Sequence, residues 1–389
     1  MQTDPIVFYV FVIFVGSAIF ATIALYARQA LLVGYILLGV VVGPPGFAVV
    51  NNTALITSIA DIGIIFLLFL LGLNLQPQDL WHLLRKTIEV TLASSLAFTF
   101  LGFIIAWSFG FAFWENVLIG IAVMFSSTII GLKLLPTTVL HHKHAGEVMV
   151  SILLLQDLIA IIVLLILKGV GKSGSPLLEI GLLALSLPLL IGFAYFFNRY
   201  VLIKLIRRFD KIPEYIFLMT IGWCLGVAEL AVVLGLSHEI GAFIGGVALA
   251  SSPIARFIAE SLKPLRDFFL VMFFFSLGAG LELPVLYTVL FPALLLAGIM
   301  LTAKPWIFKY LLVKSGEKAD LSLEMGVRLG QISEFSLLIA VVALNTGIIG
   351  PSASYLIQAA TILTFIASSY IVVQRYPTPI AVSDRLRRD

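Results

Sequence analysis

"DIGIIFLLFLLG", residues 61–72, carries one charge in twelve positions and has a partner, "DFFLVMFFFSLG", at residues 267–278. Both open on Asp and close on Leu-Gly, 206 residues apart. A second pair, "GYILLGVVVG" (34–43) and "GAFIGGVALA" (241–250), matches at an offset of 207. Two pairs whose offsets differ by one residue read as an internal repeat. What kind of repeat it is depends on how many apolar segments separate the partners.

The chain has 389 residues, 61% of them hydrophobic and 12% charged, with a mean hydropathy of +1.12. A soluble protein carries about 25% charged residues. Apolar stretches recur from end to end, many of about 20 residues, the length of a helix that crosses a bilayer. This composition excludes a soluble enzyme with one buried core. A net charge of +3 offers no footprint for nucleic acid. The expected fold is an all-α polytopic membrane protein of thirteen transmembrane helices, surrounded by membrane lipid. One transmembrane domain fills residues 1–375, and 376–389 form a cytoplasmic tail. The opening run after "MQTDP" lacks a basic flank and is long for a signal segment, so it reads as a mature helix. The lone Cys224 makes no internal disulfide and reads as a packing residue.

Positive charge tests the helix count. Of 24 Lys and Arg, 20 fall in alternate connections, the largest group being Arg199, Lys204, Arg207, Arg208 and Lys211. The other connections hold Lys168 and Lys172, while Lys304 and Arg328 fall inside segments. Such asymmetry predicts an external N-terminus and a cytoplasmic C-terminus. On this count the repeat partners are the third and tenth segments (54–74 and 264–281) and the second and ninth (29–43 and 238–251). Seven segments separate each pair, an odd number, so the two halves insert with opposite orientation. Repeat 1 spans about 5–168 and repeat 2 about 213–373, six helices each, with a linker helix at about 176–198. Inverted repeats are a signature of secondary transporters.

The same offset places "MFSSTIIGLKLLP" (124–136), in the fifth segment, on "GQISEFSLLIAVV" (330–342), in the twelfth. Each interrupts an apolar helix with polar residues: Ser126, Ser127 and Thr128 in one, Gln331, Ser333 and Glu334 in the other. Transporters of this class break a helix in each repeat and cross the breaks, so that loose helix ends face an ion. Unwound backbone is tolerated there because it lines a cavity. The alternative is a pair of unbroken helices whose hydroxyls bond back to their own carbonyls.

The repeat fails at "LLLQDLIAII" (153–162), since Gln156-Asp157 would fall on Ile362-Leu363. One half alone carries a mid-span acid. An ionised carboxylate there costs several kcal/mol unless a proton or a cation compensates it. Asp157 supplies carboxylate oxygens, Gln156 an amide oxygen, and the Ser126–Thr128 stretch hydroxyls and carbonyls. A group that holds H⁺ or a monovalent cation, but not both, is the minimum machine for exchange, and one carboxylate predicts electroneutral one-for-one exchange. The other reading of Asp157 is structural, as a helix cap or the partner of Lys304 or Arg328. Arg328 is expected to pair with Glu334 and hold the twelfth helix. Lys304 is left open between snorkelling, pairing and holding a carbonyl end. Asp61 and Asp267 are expected to favour helix N-termini, and Glu229 is unassigned.

These residues together resemble the cation:proton antiporter superfamily, in the monovalent cation:proton antiporter-2 branch that contains the Kef-type potassium efflux systems. "SSTIIGLKLL" with "LLLQDLIAI" is similar to that family's broken fifth helix and Gln-Asp sixth helix. "GVALASSPIARFIAESLKPLRDFFLVMFFFSLGAGLEL" (246–283) is similar to its ninth and tenth helices, and "LGQISEFSLLI" to its second break. The resemblance spans nearly the whole chain. It implies the sodium/proton-antiporter fold, a homodimer in the cell (inner) membrane, and an elevator-type movement around an ion and proton site at Asp157. Gln-Asp, in place of the Asn-Asp or Asp-Asp of electrogenic sodium exchangers, implies electroneutral exchange that favours K⁺ over Na⁺. Two local patterns depart: "GLNLQP" (72–77) lacks the acidic residue usual after the third helix, and "ESLKP" (260–264) lacks an acidic run. Kef systems continue into a cytosolic nucleotide-binding regulatory domain, expected here as an absent domain or separate subunit.

Other signals are set aside. "HHKH" (141–144) reads as a solvated basic patch, with pH sensing as the minority role. "HEIGA" (238–242) is not a zinc motif, and "VGKS" (170–173) lacks the upstream glycine of a phosphate loop. Gly241 and Gly245 form a small-residue face for helix packing. No cofactor is expected beyond the transported ions. The competing functions are a Na⁺/H⁺ antiporter of the same fold and a gated K⁺ efflux channel or uniporter.

Overall fold

The computed structural model describes residues 5–51, 53–74, 77–128, 131, 144–170, 176–209, 211–250, 252 and 254–378. "HHKH" up to Lys143, most of "VGKS", and the tail after 378 lie outside them. The helices are α1 (Pro5–Tyr26), α2 (Leu31–Val42), α3 (Thr53–Asn74), α4 (Pro77–Ser108), α5 (Phe113–Met124) and α6 (His144–Val170). Next, α7 (Pro176–Phe197) runs through a π-helical turn (Asn198–Leu202) into α8 (Ile203–Arg208). The second half holds α9 (Pro213–Val233), α10 (His238–Ala250), α11 (Ala255–Ser261), α12 (Lys263–Ala279), α13 (Leu283–Lys314), α14 (Ala319–Arg328), α15 (Glu334–Asn345) and α16 (Pro351–Arg375). Among the described residues eight helices are long and apolar enough to cross a membrane, and α2, α5, α10 and α15 are shorter apolar ones.

Helix is the form such sequences must take in lipid, where every backbone N–H and C=O has to be bonded within the segment. Proline and glycine set the limits. Pro213 and Pro351 stand in the first helical turn, where the missing N–H is no loss. Gly235 (φ 83°) and Gly316 (φ 100°) take the left-handed conformation that closes α9 and α13. Leu236 N then bonds to Ala231 O at 2.8 Å, and Glu317 N to Leu312 O at 3.0 Å, which satisfies carbonyls left over at each helix end.

Two expectations change. The linker helix does not stop near 198 but continues through α8 to Arg208. The tenth segment, expected at 264–281, is α12, and the short α11 lies in the connection before it. Neither Asp61 nor Asp267 serves a helix start, because neither α3 nor α12 has an acid in its first turn. Asp61 lies past the second turn of α3, and Asp267 accepts hydrogen bonds from Arg266 at 2.9 and 3.1 Å.

The chain forms two compact units. One comprises Met1–Phe14, Val41–Leu80 and Lys172–Gly280; the other comprises Val15–Val40, Trp81–Gly171 and Leu281–Asp389. Each draws on both sequence repeats. In the first unit α3 packs against α10 and α12, and α9 packs on α10. Close approach rests on glycines. Gly72 faces the carbonyl of Phe243, and Gly246 faces that of Phe69, a reciprocal contact of α3 with α10. Gly241 lies against the Val227 backbone of α9, so the small-residue face does pack a helix. Replacing Gly246 by Val would drive a side chain into the α3 backbone. It should cost about 1–3 kcal/mol, read as a lower melting temperature of the purified protein, with Gly222→Ala, where a side chain meets open space, as the control.

In the second unit α13 packs against α14 and α16, and α15 packs against α16, α6 and α5. Gly326 lets α14 lie on the α13 backbone at Pro305, next to Lys304. A polar stripe on α16, Ser354, Gln358, Thr361, Thr364 and Ser368, is buried in this unit. Its spacing of three and four residues puts it on one helix face.

Candidate ion-binding site

Asp157 stands near the middle of α6. Met149, Ile152, Leu153, Gln156, Asp157, Ala160, Ile161 and Leu164 are all buried and recur at helical spacing, so Gln156 and Asp157 lie on the face turned into the unit. The Asp157 side chain is 3% exposed.

The first break lies beside it. Helix α5 ends at Met124 because Phe125 turns to extended backbone (φ −70°, ψ 148°), and residues 125–127 are not helical. Serines compete well for backbone groups at such a point. Gln156 brackets the break: its Oε1 accepts from Ser126 N at 2.9 Å and its Nε2 donates to Met124 O at 3.4 Å. Thr128, where helix resumes, points its hydroxyl at both carboxylate oxygens of Asp157, at 3.3 and 3.4 Å. Thr128 is the hydrogen-bond partner of Asp157 among the described residues.

The second break separates α14 from α15. Ser333 caps α15, its Oγ accepting from Phe335 N at 3.1 Å, and Ile332 N donates to Thr364 Oγ1 of α16 at 3.0 Å. Thus the expectation of broken rather than continuous fifth and twelfth segments describes the backbone, and the two breaks lie against each other. Ser126 Oγ donates to Leu329 O at 2.8 Å, and Gln331 Nε2 to Ser127 O at 3.2 Å. Ser368 Oγ holds the other end of the Gln331 amide at 3.1 Å.

Lys304 joins them. Fully buried, its ammonium donates to Phe125 O at 2.7 Å and to Gln331 O at 3.1 Å, one carbonyl from each break, and lies 5.2 Å from the Phe98 ring centroid. Helix C-termini carry partial negative charge, which a cation offsets. Of the three roles left open for Lys304, holding carbonyl ends is the one the geometry has. Arg328, expected to pair with Glu334, holds Glu324 at 2.8 Å, because one turn of helix stacks residues four apart. Glu334 opens α15 and is near enough to act electrostatically on Asp157 as a second negative charge. Among the described residues, Lys304 and Arg328, the two cations expected as structural partners of Asp157, bond to other groups. Gln156 and Gln331 bridge the breaks, a use their apolar surroundings did not reveal; the only signal was an amide beside a break.

In the first unit, the unassigned Glu229 faces His238 at 3.2 Å across the α9–α10 turn, both side chains exposed. Cys224 is buried and free.

A buried acid between two crossed helix breaks is an arrangement for handling a desolvated ion. The transmembrane sodium/hydrogen exchanger family model matches residues 10–373. The chain belongs to this family. It is a multi-pass membrane transporter of the cation/proton antiporter class, not an enzyme. An iron transporter, MagA, of Paramagnetospirillum magneticum is 29% identical over 350 residues, covering 88% of this chain and 79% of the relative. The solved structure of the sodium proton antiporter MjNhaP1 from Methanocaldococcus jannaschii at pH 8 matches with a TM-score of 0.67 and 19% identity. That match covers 94% of this chain and 98% of the other, and it shows a shared fold.

Proposed function

We propose that this exchanger trades a monovalent cation, K⁺ in preference to Na⁺, for H⁺ at Asp157, electroneutrally and by an elevator-type cycle. The observation that carries this reading is the Asp157 carboxylate, buried beside the first break, with the Thr128 hydroxyl at 3.3 and 3.4 Å as its hydrogen-bond partner among the described residues. Among the described residues Lys304 and Arg328 bond to other partners, which supports a proton or a metal cation as the group that neutralises it. Both cannot be held at once, and that exclusion is what couples the two fluxes. The Gln-Asp pair supports electroneutrality and K⁺. The two compact units are the anatomy an elevator cycle needs. The reading includes a homodimer in the cell (inner) membrane with an external N-terminus and a cytoplasmic C-terminus, either paired with a cytosolic nucleotide-binding domain or subunit or working without ligand gating.

The Gln156 oxygen, expected as an ion ligand, bonds to Ser126 N, which leaves it one lone pair. Asp157 and Thr128 are then the principal protein ligands. Their hard oxygens suit alkali cations better than the soft or imidazole donors that favour late transition metals. The family's name keeps Na⁺ as the second reading, and the MagA relative raises iron as a third.

The test is exchange in proteoliposomes with an internal pH dye and a series of K⁺, Na⁺ and Fe²⁺. Saturable flux that needs an opposing proton gradient, and is indifferent to an imposed potential, supports the proposal. Ohmic current without proton movement would show a channel. The half-saturating cation concentration should rise as loading-side pH falls, since protons compete for one carboxylate. Thr128→Val should raise it about threefold to tenfold, the worth of one hydrogen-bonding oxygen, with little change in folding.

A further inference from the structure

Arg328 is the last residue of α14, and the second break begins at the next residue, Leu329. Its side chain is buried, which a guanidinium tolerates only when fully engaged. Nε and Nη2 reach Oε1 of Glu324 at 2.9 and 2.8 Å. Nη2 also donates to the carbonyl of Pro377 at 2.9 Å, and Cζ lies 5.5 Å from the centre of the Tyr376 ring.

Those last two partners come from the segment that leaves α16. Tyr376 N still bonds to Val372 O at 3.0 Å, Tyr376 and Pro377 are half-buried, and Thr378 is buried. Burial, and next the Glu324 carboxylate, push the Tyr376 phenol above its usual range, as an enclosed ring beside an acid should be. The chain thus does not simply depart from α16 but is strapped across the end of α14. On the other side of Arg328, Leu329 O receives the Ser126 hydroxyl, and Gln331 O receives Lys304. One arginine therefore stands between the exit of the last helix and the crossing of the breaks.

We propose that Arg328 is a positioning residue that couples residues 376–378 to the placement of the second break, and through it to cation occupancy at Asp157. Displacing the strap moves the end of α14, and with it Leu329 and Gln331. Conversely, loading the site shifts the strap. The planar fork of arginine holds carboxylate, carbonyl and ring together, which the point charge of lysine cannot. The inference rests on the reading that the crossed breaks flank the ion.

The experiment uses the full chain in proteoliposomes, with the only cysteine removed (Cys224→Ala) and Thr378→Cys introduced. The rate of maleimide labelling is measured at fixed pH with and without saturating K⁺. Labelling should change about threefold or more with K⁺, and Arg328→Gln should make it fast and independent of K⁺. Exchange by Arg328→Gln should need about tenfold more cation for half-saturation, and Arg328→Lys should restore only part of this. A residue that merely supports the fold would lower the number of active transporters and leave half-saturation unchanged. Labelling of Thr378→Cys that ignores K⁺, or an Arg328→Gln protein altered only in active amount, overturns the coupling. If Asp157→Asn keeps a K⁺-dependent labelling rate, the coupling stands and the ion site lies elsewhere.

Discussion

Asp157→Asn should abolish exchange and leave the folded protein intact. Asn keeps the shape of Asp and can still face the Thr128 hydroxyl, so packing of α6 against α15 is preserved. What it loses is the ability to carry charge and to release a proton. A buried carboxylate and its ionic partner are coupled by several kcal/mol, so cation binding should weaken by about a hundredfold or more. Proton return should stop as well, because an amide does not titrate in this range. The checks are proteoliposome flux and a melting curve on the same preparation. Flux at background with an unchanged melting temperature is the expected pair. Normal exchange by the Asn protein would remove Asp157 from the transport cycle.

Lys304→Met carries the second large effect, on a different quantity. Met fills much of the volume of the lysine stem but has no donor, so Phe125 O and Gln331 O lose the ammonium that joins them. An unpaired buried acceptor costs about 1–3 kcal/mol, and two are left at once, at helix ends whose partial negative charges then face each other. The protein should melt at least about 5 °C lower, and exchange should fall because the crossing no longer holds its register. The contrast with Asp157→Asn is diagnostic: one variant is stable and inactive, the other unstable. A Lys304→Met protein with unchanged melting and transport would mean that the breaks are held by Ser126, Gln331 and Gln156 without the ammonium.

Much of the architecture was legible in the residues because it depends on properties that every residue carries with it. An apolar run in lipid has no choice but helix. Pro213, Gly235, Gly316 and Pro351 punctuate it for local backbone reasons. The serine and threonine cluster at 126–128 and the polar residues at 331–334 mark where helix is least stable, and the chain is non-helical at 125–127 and 329–333. Less legible was the choice of hydrogen-bond partner. Sequence spacing alone does not tell Arg328 to hold Glu324, four residues back on its own helix. Gln156 was read toward the ion, but its oxygen goes to a backbone amide that lost its helical partner.

The sequence by itself determined that this chain is a membrane-embedded helical bundle with one acid alone in the core of its sixth span and two weak points in its helices. Those are consequences of polarity, periodicity and backbone propensity, which are local. Only the tertiary structure decided that Lys304, 179 residues from Phe125, would clasp both weak points, and that Arg328 would hold the exit of α16. The reason is that a backbone carbonyl is the same chemical group at every position. Which carbonyls are left without a partner, and which cation can reach them, is settled when the helices stop and cross, not by the letters that encode them.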